Sequence, residues 1–202
     1  MWRTALSEKV FDGGLLQGEP VAIGIDQSLT GFAISAVNVN RPECYETWVY
    51  KSSYRGVQRL DDIGGWITEK LEFIQEQNAF IQDIAMEGTV LASHSALVLG
   101  ELAALVKLTL WNYFKDYDHQ DHLRTPLQIP PMTLKKYAAG KGNAKKQEML
   151  MQIYKRWGVE FNDDNAADSY ALGRLAAGVQ IDAVEKAIVE QVKDVKYRDA
   201  VA

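Results

Sequence analysis

Residues 20–37 read P-V-A-I-G-I-D-Q-S-L-T-G-F-A-I-S-A-V, two apolar runs around the polar turn D-Q-S-L-T-G. Each run is short, rich in β-branched residues and bounded by turn formers, the pattern of two strands joined tightly, with Gly31 available for unusual backbone angles. The first run ends on a carboxylate, Asp26, which a core cannot bury without large cost. A lone Asp there reads as a turn former, so its meaning depends on what else reaches that end of the sheet.

Working outward, C-Y-E-T-W-V-Y-K-S (44–52) alternates as a third strand, completing an antiparallel meander. Val57, Leu60, Ile63, Ile67, Leu71 and Ile74 recur at three- and four-residue steps, which makes one apolar helix face. F-I-Q-D-I-A-M-E-G (80–88) reads as a fourth strand, again ending on an acid, Glu87. An apolar helix from about Ser93 to Phe114 follows, then a polar stretch and a fifth strand around L-Q-I-P-P. A Lys-rich segment, two helices near 144–157 and 165–178, and an amphipathic stretch from Ile181 to Arg198 complete the chain. Three strands, helix, strand, helix, strand, helices is an α/β arrangement with a mixed sheet covered by helices. The expected organisation is an N-terminal extension (1–20), one domain (21–180) and a C-terminal amphipathic helix (181–202).

Bulk properties narrow the function. Across 202 residues, 47% hydrophobic and 24% charged content suits a folded domain, and one cysteine excludes an internal disulfide. The first twenty residues carry no long apolar run, so no signal peptide is expected. A-L-V-L-G-E-L-A-A-L-V-K-L-T-L-W (96–111) holds Glu101 and Lys107 and is shorter than the roughly 20 residues of a span, so no membrane partner is expected. A net charge of −5 argues against a generic nucleic-acid binder, yet Thr133–Gln147 holds five Lys and no acid. Lys135, Lys136, Lys141, Lys145 and Lys146 in that stretch suit phosphate binding, with Gly140 and Gly142 letting the backbone pass close; a solvated loop with Asn143 capping the next helix is the plainer reading.

Asp26 and Glu87 occupy equivalent places at strand carboxyl ends, where ligand sites of open α/β sheets gather. In N-D-D-N-A-A-D (162–168), Asp164 and Asp168 are four apart and Asn165 and Asp168 three apart, so either pair shares a helix face. Asp163 or Asp164 taken singly reads as an N-cap. Carboxylates converging at short range repel unless a cation lies between them. Hard oxygen donors without a Cys or His set select Mg²⁺ or Mn²⁺, and a pair of such ions cleaves phosphodiesters.

G-I-D-Q-S-L-T-G, I-A-M-E-G, L-K-K-Y-A-A-G-K-G-N-A-K-K and D-N-A-A-D-S-Y-A-L-G, in that order, resemble the RuvC-type Holliday junction resolvases of the ribonuclease H-like superfamily. The likeness runs from about Val21 to Gly178, and the short turn after Asp26 is closer to the bacteriophage-encoded branch. It implies a five-stranded sheet of order 3-2-1-4-5, a homodimer, a cytoplasmic setting in a bacterial or phage-infected cell, and paired symmetric nicks in four-way and other branched DNA. By position it implies Asp26, Glu87 and Asp168 as catalytic metal ligands, with about two Mg²⁺ (or Mn²⁺) ions per site. Lys135 and Lys146 match functionally important lysines, and Lys146 joins the catalytic set. The apolar helix after Glu87 matches the one that pairs subunits, although a central core helix would look the same, and Leu102 and Leu105 are expected on its pairing face.

Two positions depart from that pattern. The family's fourth acid is Asn165 here, an amide able to donate oxygen but no charge, and Asp164 is placed to compensate as a ligand. The aromatic wedge of bacterial members is replaced by G-T-V-L, leaving Val90 or Leu91, or other parts of the chain, to open a junction. A catalytically impaired branched-DNA-binding protein of the same fold is therefore the first alternative. An actin-like small-molecule kinase, which shares G-I-D-x-x-x-T-G, is the second, but the chain is too short for its two domains.

Overall fold

The computed structural model describes residues 6–7, 18–77, 79–88, 96–117, 121–194 and 196–197. The opening stretch forms β2 (Pro20–Asp26) and β3 (Phe32–Asn38), following a two-residue strand β1 (Leu6–Ser7) from the N-terminal extension. β4 (Tyr45–Tyr50), α1 (Gly56–Glu76), β5 (Phe80–Glu87), α2 (Ala96–Phe114), α3 (Asp121–Arg124) and β6 (Leu127–Ile129) follow. The chain ends with α4 (Pro131–Ala139), α5 (Lys146–Trp157), α6 (Asp164–Ala177) and α7 (Ala183–Lys193).

The sheet order is β1-β4-β3-β2-β5-β6. β2, β3 and β4 form the antiparallel meander, and β5 and β6 add in parallel. The five expected strands thus lie in the expected 3-2-1-4-5 order, and β1 adds a short sixth at the β4 edge. This is the mixed sheet of a ribonuclease H-like fold, with an apolar cluster on each face. α1 and α2 cover one face; α4 to α7 cover the other.

α6 is pressed against the sheet because glycines meet there. A Cβ on Gly24 would stand 2.0 Å from the Ser169 carbonyl oxygen and 2.3 Å from the Gly173 nitrogen, so no side chain fits at that crossing. Ser169 also shares a buried hydroxyl contact with Ser35 (2.7 Å), which in turn meets Thr47 (2.7 Å). Buried hydroxyls are costly unless paired, so this chain of contacts fixes where α6 sits along β3 and β4. Asp168, the residue before Ser169, is thereby delivered to the Asp26 end of the sheet.

Several local readings change. The Lys-rich stretch is helical from Pro131, where a proline at the first helical position costs nothing because that N–H has no partner within the helix. Gly140, at φ +78°, is the left-handed C-cap of α4. α5 is capped by Lys145 without a side-chain bond, so Asn143 is not its cap. Gly31 keeps an ordinary φ; a Cβ there would meet the Asn165 amide nitrogen at 2.5 Å, so a side chain at this position would displace that amide. Leu102 faces inward on α2 and is fully buried, while Leu97 (79% exposed), Leu108 (58%) and Trp111 (50%) form its outer ridge. Leu102 therefore belongs to the core, and Leu105 is half-buried. Val90 and Leu91 lie outside the described residues, as do Ser93 and Arg198 at the expected helix ends.

α7 docks on α4 and the α6-side core through Ile188, Val189 and Val192. Glu185, fully buried at its start, accepts from Arg156 (2.7 Å), the Trp157 indole (3.0 Å) and the Ile181 amide (2.7 Å). Arg156 also donates to the Tyr137 and Ala138 carbonyls (2.7 and 2.8 Å), so one guanidinium ties together α4, α5 and α7. A buried carboxylate is tolerated only with partners of this kind.

Candidate active site

The carboxyl ends of β2 and β5 and the amino end of α6 open into one cavity of about 430 Å³. Asp26, Glu87, Asp164, Asn165, Asp168, Lys135 and Lys146 all line it, joined by Leu99 from the first turn of α2. Residues separated by more than 140 positions therefore meet in one pocket, as the strand-end argument requires. Lys136, Lys141 and Lys145 do not line it. Lys141 pairs with Glu148 (2.7 Å), so the Lys-rich stretch is less one-sided in space than in sequence.

Parallel pairing of β2 with β5, Ile25 opposite Met86, places Asp26 and Glu87 side by side. Between them is a residue the sequence reading passed over. Gln27 is buried and donates its side-chain amide to the Glu87 carbonyl (2.6 Å), holding the two strand ends together. Its signal was its place directly after Asp26, where burial follows from the turn geometry and not from composition.

Burial and mutual repulsion dominate the electrostatics. Asp26 is 5% exposed. Its pKa is pushed well above the usual range, first by burial and then by Glu87, Asp168 and Asp164, with Lys146 opposing. Burial raises Glu87 too, against the pull of Lys135 and Lys146. Asp168 rises to about 7, by burial and then by Glu87 and Asp164. Folding has spent stability to gather acids here, the usual mark of a functional site.

The start of α6 divides its labour. Asp163 is the N-cap, its side chain accepting from the Asn165 and Ala166 amides (2.9 and 3.1 Å). Asp164 forms an ion pair with the Lys146 ammonium, whose pKa is raised first by that bond. Asn165 lies half-buried with its amide nitrogen toward Gly31.

The donor set suits a hard divalent cation: three carboxylates with raised pKa values, an amide beside them, and oxygen as the shared donor type. Among the described residues, however, no three Asp, Glu, His or Cys side chains are already drawn close enough to hold a metal ion. The acids share the pocket without forming a closed cage.

No protein-family model matches the sequence, and no curated protein does. Solved structures do. RuvC of Thermus thermophilus in complex with a Holliday junction substrate superposes with a TM-score of 0.58 at 19% identity, over 76% of this chain and 90% of that one. The structure of Thermus thermophilus RuvC gives 0.58 at 18% identity, over 85% and 95%. At such identity the likeness establishes the fold: this chain has the fold of RuvC-type resolvases.

Proposed function

We propose that this protein is a structure-selective DNA endonuclease that cuts four-way junctions and other branched DNA by metal-dependent phosphodiester hydrolysis. The observation that carries the reading is the pocket itself: Asp26, Glu87 and Asp168 gathered with Lys135 and Lys146 at the carboxyl end of a RuvC-type sheet. Such a concentration of buried and half-buried acid beside two lysines fits neither a core nor a solvated face.

In this reading Asp26, Glu87 and Asp168 hold Mg²⁺ or Mn²⁺, with Asn165 and Asp164 as further oxygen donors. Divalent cations at that place supply Lewis-acid activation of the phosphodiester and of the attacking water, two ions per site. Gln27 keeps the Asp26 and Glu87 strand ends in register. Lys146 and Lys135 neutralise phosphate oxygens, and the Asp164–Lys146 pair aims one ammonium into the cavity. Lys136, Lys141 and Lys145, outside the pocket, add electrostatic attraction for the DNA backbone.

The outer ridge of α2 pairs two copies, so that two sites act across a twofold axis and leave symmetric nicks. α2 extends the apolar run to 19 residues and so, contrary to the expectation from 96–111 alone, has the length and composition of a membrane span, yet its buried face packs into the α1-side core. Leu97, Leu108 and Trp111 are left for a second copy.

A second reading keeps the DNA and drops the cutting. Asn165 favours it, because a neutral amide beside three carboxylates weakens cation binding relative to a fourth acid. A synthetic four-way junction, a linear duplex and a flap, each tested with Mg²⁺, Mn²⁺ and EDTA, separate the two. Cutting of the junction with a divalent ion and none in EDTA is expected. Tight junction binding without cutting, restored by Asn165→Asp, would favour the binding protein; neither binding nor cutting would refute both.

A further inference from the structure

β4 and β2 run in the same direction, because each pairs antiparallel with β3. β4 therefore ends, at Tyr50 opposite Phe32, on the same edge of the sheet as Asp26 opposite Ala33. The chain leaving that end is K-S-S-Y-R-G-V-Q-R (51–59), with three cations and no acid. Two inter-strand spacings separate β4 from β2, about 10 Å across the sheet. This stretch runs from the turn after β4 into the first turn of α1, on the face opposite α4, α5 and α6. The acidic pocket thus has Lys135 and Lys146 on one side and a second basic stretch on the other.

That stretch is built and unneutralised. Lys51 and Arg55 are exposed, and among the described residues neither they nor Arg59 have an ion-pair partner. Of the next acids along the chain, Asp62 is turned inward to accept from the Tyr50 hydroxyl (2.5 Å) and Ser52 (2.7 Å), and Asp61 lines a groove against α2. The turn is braced, since Arg59 donates its Nε–H to the Tyr54 carbonyl (2.9 Å) and the Tyr54 amide bonds Ser52 (3.2 Å). Exposed Tyr54 and Val57 (81%) interleave with the cations, a mixture suited to phosphate and sugar together. On a chain of net charge −5, a braced cationic turn level with the pocket is complementary to a polyanion.

We infer that Lys51, Arg55 and Arg59 form a second DNA-contact surface, which grips the phosphodiester backbone of a duplex arm beside the strand being cut. This rests on the endonuclease reading and extends its DNA contacts beyond the lysine helices. None of the three lines the pocket that holds the acids, so their contribution is to binding.

The test compares wild type with Lys51→Ala/Arg55→Ala and Lys51→Glu/Arg55→Glu, leaving Arg59 in place because it braces the turn. Fluorescence anisotropy on a four-way junction in EDTA, across about 50 to 300 mM KCl, reads affinity and salt slope; melting temperature confirms folding. The alanine pair should weaken binding roughly 10-fold and lower the slope of log K against log salt by about 2. In Mg²⁺ the loss should appear in KM and not in kcat, and the glutamate pair should lose more. Wild-type affinity and slope in both folded variants would overturn the inference, as would a fall in kcat at unchanged KM. A wild type that binds no junction at all would remove the endonuclease reading, and this inference with it; a binding wild type with unaffected variants refutes this inference alone.

Discussion

Replacing Asp168 with asparagine should make the metal-free protein more stable, and by an amount that depends on pH. Asp168 moves from an ordinary value of 3.8 to about 7 in the folded protein, because burial, Glu87 and Asp164 all oppose its charge. A carboxylate whose folded pKa is raised costs stability once the solution is basic enough to ionise it. The sign follows directly. Below pH about 4 the group is protonated in both states and costs nothing; through pH 4 to 7 the cost grows; above about 7 it is constant. A change of that size corresponds to about 4 kcal/mol, at 1.36 kcal/mol per pH unit. Asp168 retains some solvent contact, which screens its charge and brings the expected gain nearer ~2 kcal/mol. Relief of Asp26, which Asp168 also pushes up, adds in the same direction. For a chain of this length, 2 kcal/mol is roughly 4–8 °C in Tm. Calorimetry in EDTA should show the variant melting that much higher at pH 8 and level with wild type at pH 4. Mg²⁺ should then raise the Tm of wild type more than that of Asp168→Asn. An equal gain at both pH values, or a variant less stable at pH 8, would refute the argument that the pocket holds unneutralised acid.

Other expectations follow from the same geometry. Lys146→Ala should fold normally, because its side chain is mostly exposed, and lower kcat for junction cutting by about 10²-fold in gel assays. Leu108→Glu with Trp111→Glu should give a folded monomer by light scattering against a wild-type dimer, whereas Leu102→Glu should not fold; an unchanged dimer from the first pair would move the interface elsewhere. Gly24→Ala should cost about 3 kcal/mol in chemical denaturation, since its methyl would collide with α6 backbone.

The frame of the molecule was legible wherever one residue type carries one physical demand. V-A-I-G-I-D and I-A-M-E declare buried strands ending on acids, and their parallel pairing follows from the intervening helix. D-N-A-A-D declares a helix start, and Asp163 does cap it. Legibility failed where one residue type serves several ends. Pro130 and Pro131 looked like the end of a strand, but the second opens α4 and carries Lys135 into the cavity. Gly31 looked like a turn residue, yet a side chain there would displace the amide of Asn165, 134 positions away. Leu102 and Leu108 are identical as letters in an apolar run, and only packing against α1 and the sheet separates core from ridge. Gln27 and the Lys51–Arg59 turn were overlooked for the same reason: their meaning comes from the strand end they share with Asp26.

The measurement that bears most directly on the proposed metal site is a crystal structure soaked with Mn²⁺, read by anomalous scattering. The account predicts density between Asp26, Glu87 and Asp168, with the three carboxylates drawn inward onto the ion and the peak lost in Asp26→Asn. Manganese found only at other sites, with those carboxylates still apart, would contradict it.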